Sequence, residues 1–137
     1  MPLASRLLTV GVAAFMSVAA LTACSGSASG EQSTQDACGV LAEGLGNVQE
    51  QVTAADTALT DGDMTTAQSN LASASAGLYS VSPQITNEQI APILDDLITG
   101  LNDVHAAAEP DAAPDALDAA SSGLRDAVQR FNEACGG

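Results

Sequence analysis

The chain has 137 residues, with 17 Asp and Glu against 3 basic residues (Arg6, Arg125, Arg130), one His and a formal net charge of −14. Such an acidic surface repels a phosphate backbone, which excludes nucleic acid as a partner and leaves solubility or a basic partner as the use of the charge. Aromatic residues make up 2% of the chain, so any core is Leu, Val, Ile and Ala, and the absence of long β-branched period-two runs points away from sheets.

Residues 1–23 have the parts of a secretory signal: Arg6 gives a positive start, and Leu7 to Leu21 is uncharged and mostly apolar. That run is shorter than the roughly 20 apolar residues of a membrane-spanning helix. It ends in Leu21-Thr22-Ala23-Cys24, an aliphatic residue, two small ones and a Cys. These four residues resemble the lipobox of bacterial lipoproteins. The resemblance is confined to the N-terminal segment. It implies removal of 1–23, a diacylglyceryl group on the Cys24 sulfur, and further acylation, such as by palmitate, of the new amino terminus. Two or more acyl chains hold a protein stably to a bilayer. The expected location is the extracytoplasmic face of the cell membrane, with the membrane itself as a partner through Cys24. Residues 24–34, rich in Ser and Gly, read as a flexible tether, and 35–137 as the folded domain.

Beyond the tether, apolar residues recur at helical spacing four times. The first segment places Cys38, Leu41, Leu45, Val48, Val52, Ala55 and Leu59 on one seam, with Ser33, Thr34 and Asp36 as candidate caps. It stops in Thr60-Asp61-Gly62-Asp63. The second carries Met64, Ala67, Leu71, Ala74, Leu78 and Val81 and ends at Ser82-Pro83. The third carries Ile90, Leu94, Leu97, Leu101, Val104 and Ala108, with Thr86 and Gln89 spaced as a capping box. Pro92 conflicts with that start: either the helix kinks there or its regular part begins near Ala91. After Glu109 to Pro114, with Asp111 as a candidate cap, the fourth carries Leu117, Ala120, Leu124, Val128, Phe131 and Cys135.

Four amphipathic helices with short connections predict an all-α fold, an antiparallel up-down-up-down four-helix bundle. Each helix also contains Gly-Leu followed by Val, at Gly44, Gly77, Gly100 and Gly123. A mid-helix Gly costs about 1 kcal/mol relative to Ala. The expectation is that Gly44 with Gly77, and Gly100 with Gly123, let neighbouring helices approach closely. Of the 3 Cys, the lipoprotein resemblance assigns Cys24 to lipid, which leaves Cys38 and Cys135 as an even pair in an oxidising compartment. The start of the first helix and the end of the fourth lie at the same end of such a bundle, so a Cys38–Cys135 disulfide is expected to close it.

Signs of chemistry are sparse. His105 stands alone, and neither His-x-x-x-His nor Cys-x-x-Cys occurs, so no metal site or cofactor is expected. Met64 and His105 are the residue types of a haem-ligand pair, but Met64 also fits the apolar seam. Asp61-Gly62-Asp63 begins like a calcium loop, yet Ala72 stands where a bidentate Glu belongs. Asp95, Asp96 and Asp103 read as a solvated helix face rather than an acid–base pair. Tyr79 is a candidate contact residue. The expected function is that of a lipid-anchored, non-enzymatic binding or interaction module of the cell envelope. A carrier or sensor of a small molecule or cation between the helices is the alternative, with an enzyme third.

Overall fold

Ser33 opens the first helix. Its hydroxyl oxygen accepts a hydrogen bond from Asp36 N at 3.0 Å, and its O–H donates to Asp36 Oδ2 at 2.7 Å. This satisfies one of the free N–H groups at the helix start and sets an acid against its positive end. The computed structural model describes residues 31–136; the expected signal segment 1–23 and Cys24 lie outside the described residues.

α1 (Thr34–Asp61) ends at Gly62, whose φ of 78° is left-handed and suits a residue without Cβ. Asp63 N then donates to Ala58 O at 2.8 Å, which closes the turn. The Asp63 carboxylate caps α2 (Met64–Val81). A single 3-10 turn, Ser82–Gln84, follows and contains Pro83. α3 (Ala91–Ala107) begins one residue before Pro92, so the proline's missing N–H falls in the first turn, where it breaks no helix hydrogen bond. The regular helix therefore starts at Ala91.

The capping box expected from Thr86 and Gln89 does not form. Gln89 Oε1 accepts from Thr34 Oγ1 at 3.2 Å, and Thr86 N donates to Gln32 Oε1 at 2.9 Å. Asn87 takes the capping role instead: its Oδ1 accepts from Gln89 N at 3.0 Å and from Ile90 N at 3.2 Å. Asn is a strong capping residue in its own right, and its position two to three residues before the acceptor-seeking N–H groups fits better than Thr86. Nor is Asp111 a cap. Ala112 N and Ala116 N bond to Glu109 O and Ala113 O in successive turns, and α4 (Ala116–Cys135) starts only after them.

The described residues form four α-helices and one 3-10 turn with no strand among them, an all-helical domain. α1 packs on α2, α2 on α3 and α3 on α4, while α1 and α4 touch sparsely. Leu41, Leu78, Ile90, Leu94 and Leu97 are the largest fully enclosed side chains. Each contributes about 1.5–3 kcal/mol by leaving water. In α3 the expected seam from Ile90 to Ala108 is buried throughout, and in α2 Ala67 to Val81 is buried with Met64 at its edge.

α1 and α4 depart from the expected seams. In α1 the most buried stripe runs through Ala37, Leu41, Gly44, Val48, Ala55 and Ala58, rotated toward α2, and Cys38, Leu45, Val52 and Leu59 are only partly covered. In α4 only Ala127 and Phe131 are buried, and Val128 is 38% exposed. The inward position expected for Val128 belongs to Ala127, which stands four residues before Phe131 and so shares its buried face.

The glycines explain how α1 and α2 approach. A methyl group on Gly44 would lie 2.8 Å from Val81 Cγ2, and one on Gly77 would lie 2.5 Å from Val48 Cγ1. Each helix thus offers a gap that the other fills with a valine. On the other side Gly100 lies beneath Leu124, whose Cα would stand 3.0 Å from such a methyl. Gly123 has no neighbour within 4 Å at that point, so the fourth expected close approach is not made there.

Candidate functional site

Cys38 and Cys135 come together from the first turns of α1 and the last residue of α4. Their sulfurs are at disulfide distance, their Cα atoms are 5.5 Å apart, and 97 residues separate them in sequence. A loop of that length, when closed, constrains the unfolded chain by up to about 4–5 kcal/mol. Both cysteines are partly buried at the edge of the core.

At the same end, Gln32 is tied to the α2–α3 connection. Its Nε2 donates to Gln84 O at 2.9 Å, its Oε1 accepts from Thr86 N, and its own carbonyl accepts from Asn87 Nδ2 at 2.9 Å. The side-chain amide thus pairs with the connection as a backbone strand would. Nothing in the local sequence signals this role for Gln32, since the partner lies more than 50 residues away.

The remaining candidate residues serve turns, caps and surfaces. Gly62 and Asp63 form the α1–α2 turn, and Thr66 donates to Asp63 from its backbone N at 3.1 Å and its hydroxyl at 2.6 Å. These two bonds hold the Asp63 carboxyl below its usual range, the hydroxyl bond contributing most. Asp96 pairs with Arg130 of α4, both substantially exposed. Asp95 and Asp103 are exposed on α3, and His105 is partly covered in its last turn. Among the described residues no three His, Cys, Asp or Glu side chains are grouped to hold a metal ion.

Between α2 and α3, Ser75, the one buried polar side chain among the described residues, donates to Asn102 Oδ1 at 2.8 Å. Among the described residues every enclosed side-chain N or O atom has a partner. Gly46, Gln49, Glu50, Thr53, Ala54 and Thr57 line a depression, but all six belong to α1, so it is a trough on the outside of one helix. Tyr79 is 57% exposed on α2. No described helix is long and apolar enough to cross a membrane.

The site and fold define an all-helical domain whose first and last helices meet at a cysteine pair. No family model, characterised protein or solved structure matches the chain.

Proposed function

We propose that the chain is a bacterial lipoprotein, held on the extracytoplasmic face of the cell membrane by lipid on Cys24, and that its folded part is a non-enzymatic binding or interaction module. The observation that carries this reading is Leu21-Thr22-Ala23-Cys24 at the end of an apolar run and directly before the Ser/Gly stretch. The proximity of Cys38 and Cys135 supports it, since a protein exported in this way folds where disulfides persist.

The folded part is an antiparallel up-down-up-down bundle in this proposal. Gly44 faces Val81 and Val48 faces Gly77, so contacts run backward along α2 as they advance along α1. Gly100 with Leu124 and Asp96 with Arg130 repeat that order between α3 and α4. Polar side chains in the core are few and satisfied, which suits a module that works through its surface.

The test is metabolic labelling with a clickable palmitate analogue in the native host, wild type against C24A. Label on the wild type alone, together with its membrane fractionation and loss of both in C24A, is expected. Equal labelling of the two proteins, or none on the wild type, overturns the anchor. Crosslinked envelope proteins recovered with the wild type and lost with C24A are the expected sign of an anchored interaction module.

A further inference from the structure

We propose that the Cys38–Cys135 bond is a thiol-sensitive latch on α4, so that its reduction releases this helix while α1, α2 and α3 stay folded. α4 is the most weakly held of the four helices. It buries Ala127 and Phe131, whereas α3 buries seven residues from Ile93 to Val104. Its first turn has no side-chain cap, since Asp115 makes no such bond. α1 and α2, by contrast, start on the caps Ser33 and Asp63 and interlock through Gly44, Val81, Gly77 and Val48. The ion pair from Arg130 to Asp96 is substantially exposed and so adds little. Toward α1 the contacts of α4 are sparse, and the covalent one is the disulfide.

Local opening follows the distribution of buried contacts, so the element with fewest is the first to leave once its tie is cut. Both cysteines lie at the edge of the core rather than inside it, within reach of a small dithiol. The thiolate of the dithiol attacks one sulfur, the Cys38–Cys135 bond breaks, and the departing sulfur takes up a proton. The second thiol then displaces the remaining protein sulfur, which is protonated in turn. The protein gains two thiols and the dithiol leaves as a cyclic disulfide. Release of α4 bares Phe131 and the α3 face around Gly100 and Leu101. The proposal holds whether or not Cys24 carries lipid.

Hydrogen–deuterium exchange of the full chain in detergent, oxidised and then with dithiothreitol, reads this directly. The expected result is a tenfold or greater loss of protection across 116–135, with 34–61, 64–81 and 91–107 changing by less than threefold. Reoxidation restores the protection, and C38S/C135S reproduces the reduced pattern. Equal loss across all four helices, unchanged protection in α4, or a C38S/C135S chain without helical circular dichroism each overturns the latch.

Discussion

Val81 occupies the space that a side chain on Gly44 would need: its Cγ2 stands 2.8 Å from where that Cβ would be. Val48 stands in the same relation to Gly77, at 2.5 Å. A valine in a helix has one strongly preferred rotamer, so neither partner swings aside easily. G44A and G77A therefore destabilise the fold, with overpacking of about 1–3 kcal/mol outweighing the better helix propensity of Ala. G46A, at a position with no neighbour within 4 Å, stabilises by about 0.5–1 kcal/mol through that propensity alone. Urea unfolding of the three variants separates the two effects, and V81A introduced beside G44A recovers part of the loss.

The face that α4 presents to the core is set by Ala127 and Phe131. F131A loses about 3–5 kcal/mol, the range for removing a buried ring. V128A, at a residue 38% exposed, stays within about 0.5 kcal/mol of the wild type. Denaturant midpoints in the reverse order would place α4 on its other seam.

The start of α3 depends on Asn87 rather than on Thr86. N87A removes the acceptor of Gln89 N and Ile90 N and the donor to Gln32 O, a loss of about 1–2 kcal/mol. T86V keeps the backbone bond to Gln32 and leaves the thermal midpoint nearly unchanged.

Asp63 makes the fold sensitive to acid. Its carboxyl is held below the usual range by the two bonds from Thr66. A carboxyl with a lowered folded-state pKa binds protons more readily in the unfolded chain, so it stabilises above the ordinary carboxylate pKa. That contribution is lost as pH falls below about 4, through the lowered value. Thermal midpoints followed from pH 6 to pH 2 are expected to fall less steeply in D63N than in the wild type, because the amide does not titrate.

Helix number, order and most of the core are legible in the sequence because α2 and α3 are buried along a full 3.6-residue period, which Leu, Ile and Val mark plainly in α3 and at Leu71, Leu78 and Val81 in α2. α4 misleads because its most enclosed residue is Ala127, which carries no more weight in a hydrophobic pattern than the Ala residues on its wet side. At the α3 start, two rules competed: the Thr86–Gln89 spacing and the capping preference of Asn87. Contacts with Gln32 and Thr34, distant in sequence, decided between them. Cys38 and Cys135 were legible together because the helix order brings the ends of the fold to one place. Leu21-Thr22-Ala23-Cys24 lies outside the described residues.

Gln32 has a mechanical consequence. Its three hydrogen bonds to Gln84, Thr86 and Asn87 join the residue just ahead of α1 to the α2–α3 connection. Tension applied through the N-terminal end of the chain reaches these bonds before it reaches the first turn of α1, and it spreads to a second part of the fold instead of unwinding a helix from its tip. A few residues further in, Cys38 passes the same load to the end of α4. A pull on that end is thereby shared among three separate points of the chain: the start of α1, the α2–α3 connection and the end of α4.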